Sequence, residues 1–227
     1  MFHKNQILQF LEASPESFWI VDMRSLEDYE KGHLSGAIHA PWGEKFKEVI
    51  EALPEDKMLL PYCEFGETSW GAATLVQQLG LKAMSLYDGA KTLEEKDMTK
   101  ESSHLELNKI RELPKEVENI LSKPFVMKLE EASKKLENND IILIDTREEE
   151  EPERVPGSIT MKDFEKLDLD ENNKPLVFMC YAGQSSTAKT ILTLLKGHEA
   201  YSLEGGFGTE DRAPRGWKYQ GYPVEKK

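Results

Sequence analysis

Leu176-Val177-Phe178-Met179-Cys180-Tyr181-Ala182-Gly183-Gln184-Ser185-Ser186-Thr187-Ala188 is the stretch that decides the fold. A short apolar run suited to a buried strand ends in a cysteine, turns through a glycine and continues into residues that suit a helix. The stretch has an earlier echo, Leu59-Leu60-Pro61-Tyr62-Cys63-Glu64-Phe65-Gly66-Glu67-Thr68-Ser69-Trp70. An offset of 117 carries Cys63 onto Cys180, Gly66 onto Gly183, Ser69 onto Ser186, Leu75 onto Leu192, Gly80 onto Gly197, Leu86 onto Leu203 and Gly89 onto Gly206. The chain is therefore an internal duplication, and its two cysteines hold equivalent places. At both places free backbone N–H groups and the positive end of a helix dipole favour a thiolate.

Working outward, 227 residues accommodate two domains of about 100 residues, each able to bury its own core. A formal charge of −13 and a pI near 5.0 argue against a nucleic-acid backbone or an anionic membrane surface as partner. No apolar run approaches the ~20 residues of a membrane span and no signal-peptide core opens the chain, so a soluble cytoplasmic protein is expected. Two cysteines are too few for a disulfide framework, which leaves repeated chemistry as the better reading. No Cys/His/Asp/Glu cluster has metal-ligand spacing, and Gly205-Gly206-Phe207-Gly208 does not join a strand to a phosphate-binding helix start. Neither a metal nor a cofactor is expected.

Taken in order, Ile7, Leu8, Phe10 and Leu11 predict one face of an opening helix. Phe18 to Val21 then predicts a buried strand that delivers Asp22 and Arg24 at its end. An acidic helix from Leu26 to Lys31 stops at Gly32, and Phe46, Val49, Ile50 and Leu53 recur at helical spacing. Leu59 to Tyr62 forms the strand before Cys63, Ala72 to Leu79 the helix after it, and Ala83 to Leu86 a last short strand. The second unit repeats the plan, with Ile141 to Ile144 as a strand, Asp145 and Arg147 at its end, and Pro156-Gly157-Ser158-Ile159 matching Ser35-Gly36-Ala37-Ile38. A short deletion is inferred to have removed the counterpart of His33, and Thr160 stands opposite His39. The domains expected are residues 1–95 and 124–227, with a polar connection and a docked linker helix over 96–123, where Leu113, Val117, Ile120 and Leu121 give one apolar face.

Short apolar strands alternating with helices imply an α/β fold with parallel sheets covered on both faces, here five strands to a domain, and functional loops at the carboxyl ends of the strands. Asp22 with Arg24, and Asp145 with Arg147, are expected to brace the strand ends rather than move protons. A Cys–His dyad from His33 or His39 is disfavoured because the second unit lacks it.

These features in order resemble tandem rhodanese-domain sulfurtransferases. The likeness covers nearly the whole chain except the connection. It rests on the two Asp-x-Arg strand ends, Gly32 to Ile38, the six-residue cysteine loops, Leu86 to Gly89 with Leu203 to Gly206, and Gly221 to Val224. The resemblance implies a cysteine that accepts a sulfane sulfur as a persulfide and hands it to a thiol or other nucleophile. Elementary chemistry agrees, since a thiolate is a soft nucleophile for sulfur. Gly66 and Gly183 allow consecutive N–H groups to converge on one anion. Thr68, Ser69, Ser185 and Ser186 are read mainly as helix caps or rim donors.

Thiosulfate-using members carry a cation in the loop, whereas Glu64, Phe65 and Glu67 follow Cys63, and Tyr181, Ala182 and Gln184 follow Cys180. A persulfidated protein, a polysulfide or a small persulfide is therefore the expected donor, ahead of thiosulfate, and a thiol the expected acceptor. Two carboxylates near Cys63 rank Cys180, with Lys189 one turn beyond Ser186, as the more reactive. Cys63-Glu64-Phe65 also opens like the loop of related dual-specificity phosphatases, but Ser69 stands where those need a phosphate-binding arginine. The competing reading is a non-catalytic rhodanese-like module that binds protein partners.

Overall fold

The computed structural model describes residues 3–101, 103, 105–210 and 214–226. It divides into two compact units, Met1–Pro124 and Phe125–Lys227. The connection belongs to the first: Ile110 and Arg111 donate backbone N–H groups to Glu51 O, and His33 and Thr99 exchange backbone hydrogen bonds. Residues 211–213, in the Arg- and Pro-containing stretch between Gly208 and Trp217, lie outside the described residues.

In the first unit α1 (Lys4–Ala13) leads to β1 (Phe18–Asp22), α2 (Leu26–Lys31), β2 (Ile38–His39), α3 (Glu44–Ala52), β3 (Met58–Tyr62), α4 (Glu67–Gln78) and, after the connection, α5 (Lys115–Leu121). The β-branched and aromatic run of β1 suits a strand buried on both faces. It pairs in parallel with β2 and with β3, from Phe18 opposite Met58 to Asp22 opposite Tyr62. Leu113, Val117, Ile120 and Leu121 are buried, so the amphipathic stripe docks α5. Phe10 departs from its expected face and is 40% exposed, while Ile7 carries the burial of α1.

The five-stranded sheet expected here is three-stranded among the described residues, β2-β1-β3. In place of a strand over Ala83 to Leu86 there are isolated bridge positions, Ala83 paired with Leu59, and Leu86. The cause is Pro61. Leu59 gives its N–H to Lys82 O and accepts from Met84 N, but the next ladder donor on β3 would be residue 61, which has no N–H. The corresponding residue of the second unit is Phe178, where the ladder continues opposite Ser202.

The second unit contains β4 (Val126–Met127), α6 (Leu129–Glu137), β5 (Ile142–Asp145), β6 (Glu153–Arg154), β7 (Ile159–Thr160), α7 (Met161–Phe164), β8 (Leu176–Met179), α8 (Gln184–Leu195), β9 (Ala200–Leu203) and β10 (Glu225–Lys226). Its main sheet runs β4-β9-β8-β5-β7, all parallel, and β10 pairs antiparallel with β6. Alternate residues serve opposite cores. Leu143, Val177, Met179 and Leu203 face one cluster, and Ile144, Leu176, Phe178 and Ala200 the other. Burial of each large side chain contributes about 2 kcal/mol. This fixes the height at which Cys180 leaves β8.

Candidate active site

The strand beside each cysteine-bearing strand, β1 next to β3 and β5 next to β8, is locked at its carboxyl end by a buried carboxylate. Asp22 accepts from the Arg24 N–H at 3.0 Å and from its guanidinium at 2.6 to 3.1 Å, and Arg24 in turn donates to Gly32 O at 2.7 Å. Asp145 accepts from Arg147 at 2.8 and 3.0 Å, and Arg147 donates to Glu153 O at 2.7 Å. A second cation joins only in the second unit, where Arg154 lies 2.9 Å from Asp145.

Arg154 also corrects the sequence reading of the deletion. Gly36 and Gly157 precede the equivalent strands β2 and β7, and counting back three residues from each places Arg154 at the position of His33. Both side chains are buried and tie down preceding carbonyls: His33 Nδ1 contacts Tyr29 O at 2.9 Å, while Arg154 donates to Glu148 O and Glu149 O at 3.0 and 3.2 Å. The missing residues come from the segment before, where α2 of the first unit has no helical counterpart. Counting from the glycine rather than from the aspartate would have shown this in the sequence. His33 is held by two carbonyls, and His39 Nε2 contacts Arg24 O at 2.9 Å.

Cys63 follows β3 and Cys180 follows β8; both thiols are free and buried. Gly66 and Gly183 turn each loop with φ of +84° and +85°, conformations that a side chain would strain. The turn aims donors back at the sulfur. Cys180 Sγ accepts from Gly183 N at 3.2 Å and from the Ser186 hydroxyl at 3.3 Å. Cys63 Sγ lies 3.5 Å from Ser69 N and 3.4 Å from Ser69 Oγ. Ser69 and Ser186, expected as helix caps or rim donors, are instead fully buried behind the sulfurs, whereas Ser185 is exposed and Thr68 half-buried.

A second layer holds the loops. Phe207 N donates to Cys180 O and Gly208 N to Tyr181 O, each at 2.8 Å; Ala90 N and Lys91 N do the same for Cys63 O and Glu64 O. Behind each Cys-facing serine stands another, Ser85 at 2.8 Å from Ser69 and Ser202 at 2.8 Å from Ser186. The sequence reading missed this pair, although the same offset of 117 relates Ser85 to Ser202.

The mouths differ. Tyr181 is exposed beside Cys180, and its hydroxyl donates to Glu151, which with partial burial pushes the phenol up to about 12. Arg147 lies 3.6 Å from the Phe207 ring centre, which ties the strand brace to the loop. At Cys63, burial pushes the thiol above its ordinary value, the Ser69 hydroxyl and N–H oppose that shift, and the buried Glu67 adds to it. Gln184 occupies the Glu67 position of the second loop and Lys189 is exposed. Lys91 is the cation that inspection of the loop alone overlooks, with Nζ 5.3 Å from the Phe65 ring centre. Among the described residues no group of His, Cys, Asp or Glu is placed to hold a metal.

The model of the Rhodanese-like domain matches residues 4–92 and again 128–208, most of the chain. The chain belongs to the rhodanese-like family. A tRNA sulfurtransferase of Pyrobaculum aerophilum is 37% identical over 76 residues, 34% of this chain and 16% of that protein. The putative sulfur carrier protein YrkF of Bacillus subtilis is 38% identical over 69 residues, 30% of this chain and 37% of that protein. The chain thus spans well under half the length of either relative. Among solved structures, the 3-mercaptopyruvate sulfotransferase SseA of Escherichia coli aligns with 88% of this chain and 96% of its own at 18% identity and a TM-score of 0.41. No helix among the described residues is long and apolar enough to cross a membrane.

Proposed function

We propose that this protein is a sulfurtransferase that carries a sulfane sulfur as a cysteine persulfide, with Cys180 as the main carrier and Cys63 as a slower or partner-restricted one. The observation that carries the reading is the Cys180 sulfur at the end of a central strand, facing the Gly183 N–H at 3.2 Å and the Ser186 hydroxyl at 3.3 Å. The thiolate attacks the outer sulfur of a donor R–S–S⁻; the new S–S bond forms Cys–S–S⁻ and R–S⁻ leaves. An acceptor thiolate then attacks that outer sulfur, takes it as its own persulfide and returns Cys–S⁻. No external oxidant enters. The donors around the sulfur stabilise the anionic states on both sides of each step.

The donor fits a persulfidated protein, a polysulfide or a small persulfide better than thiosulfate. Tyr181, Ala182, Gly183 and Gln184 bring no cation to meet a dianion, and Glu151 stands at the mouth. A thiol is the acceptor, and neither nucleic acid nor a membrane surface is a partner of so acidic a chain. The buried, upshifted thiol of Cys63 favours a second reading for the first unit alone, a module that binds partners without loading sulfur. Incubation with inorganic polysulfide, removal of excess donor and intact mass separate the readings. Sulfur transfer requires a gain of about one sulfur atom at Cys180; an unchanged mass refutes it.

A further inference from the structure

The serines behind the cysteines are the feature that this chemistry leaves unused. Ser202 sits on β9 and is 1% exposed, and its Oγ lies 2.8 Å from Ser186 Oγ and 3.3 Å from Gly183 O. Ser186 has one hydroxyl proton and, besides Ser202 Oγ itself, two acceptors in reach, Gly183 O at 3.0 Å and Cys180 Sγ at 3.3 Å. The carbonyl is the nearer and harder acceptor. Left alone, Ser186 turns to it and the sulfur loses its hydroxyl donor.

We propose that Ser202 and its duplicate Ser85 are positioning residues that direct the hydroxyl of the neighbouring serine onto the cysteine sulfur. Ser202 does so with its one proton in either of two ways: donated to Gly183 O it occupies a lone pair of the competing acceptor, and donated to Ser186 Oγ it polarises that hydroxyl toward the sulfur. Ser85 stands 2.8 Å from Ser69 and also within 3.4 Å of Leu86 O, while Ser69 chooses between Gly66 O at 3.3 Å and Cys63 Sγ at 3.4 Å. The same device therefore recurs in both units, although Pro61 gives the two β-ladders different lengths. A hydroxyl retained only for packing has no need of an oxygen partner in the same place twice.

The proposal deepens the sulfur-transfer reading and rests on it for its purpose, but its test reads only the thiol. In full-length Cys63→Ser protein, the rate of Cys180 alkylation by iodoacetamide is measured against pH for Ser202, Ser202→Ala and Ser202→Thr. Asp145, Arg147, Arg154, Glu151, Tyr181 and Lys189, the charged and titratable groups around the loop, stay the same in all three. Ser202→Ala is expected to raise the alkylation midpoint by about one pH unit and so lower the neutral-pH rate about tenfold, with Ser202→Thr restoring most of it. A midpoint in Ser202→Ala within a few tenths of the parent overturns the proposal. So does an equal shift in both variants, which marks packing rather than the hydroxyl. Melting curves verify folding; if Ser202→Ala does not fold, Ser85→Ala in the Cys180→Ser protein gives the same test at Cys63. A shifted midpoint in protein that never takes up sulfur leaves this proposal standing and refutes the sulfur-transfer reading instead.

Discussion

Gly206→Ala probes the contact that holds the Cys180 loop. Gly206 has φ +59°, and an added Cβ would stand 2.8 Å from Gly183 N and closer still to Cys180 O, both backbone atoms that cannot rotate away. Ordinary contact begins at 3.4 Å, so the loop must give by more than half an ångström. The left-handed backbone costs an alanine roughly 1–2 kcal/mol. Separating the two segments weakens the bonds from Phe207 N to Cys180 O and from Gly208 N to Tyr181 O, at about 1 kcal/mol each. The sum is on the order of 3 kcal/mol, a melting point lower by more than about 10 °C for a domain of this size. Moving the nucleophile by such a distance is expected to slow sulfur loading by up to about 100-fold. Gly197→Ala is the control, since Gly197 has φ +89° but nothing within 4 Å of an added Cβ, and it pays the backbone cost alone. Calorimetric melting and single-turnover loading are measured on both. If Gly206→Ala matches Gly197→Ala in both, close approach of the backbone is not what positions the loop.

Cys180 is expected to alkylate at least several-fold faster than Cys63 near neutral pH, measured on Cys63→Ser and Cys180→Ser proteins, because burial followed by Glu67 raises the Cys63 thiol. For an acid whose folded pKa is raised, stability is full below the unfolded value and is lost as pH rises through the folded one, so urea midpoints above pH 9 are expected to fall less in Cys63→Ser than in the parent. Asp145→Asn strands both Arg147 and Arg154 in buried positions and is expected to cost about 3–5 kcal/mol in urea unfolding. Asp22→Asn strands only Arg24 and is expected to cost less. Steady-state kinetics with polysulfide and a thiol acceptor are expected to give parallel double-reciprocal lines, and intersecting lines would show direct transfer without a covalent carrier.

Much of this was legible because the duplication reads each feature twice. The cysteine loops, the strands before them and the Asp-x-Arg ends share one spacing, and periodicity alone placed α5 through Val117, Ile120 and Leu121. The failures were of two kinds. A single proline had a long reach, since Pro61 removes one ladder donor and with it a strand more than twenty residues away, which no window around Ala83 reveals. Side-chain direction was the other. Nothing in the run Gln184-Ser185-Ser186 says which serine turns inward; β9 decides it by offering Ser202 as partner. Arg154 was missed because the deletion was measured from the wrong landmark.

The most direct test of the sulfur-carrier account is a transfer in two separated halves. Protein is loaded with polysulfide, freed of donor, weighed intact, then given a thiol acceptor and weighed again. Parent and Cys63→Ser proteins should gain about one sulfur atom at Cys180 and lose it to the acceptor within one turnover, and Cys180→Ser should load far less. If Cys180→Ser loads and discharges sulfur as fast as the parent, or if no protein gains mass at all, Cys180 is not the carrier.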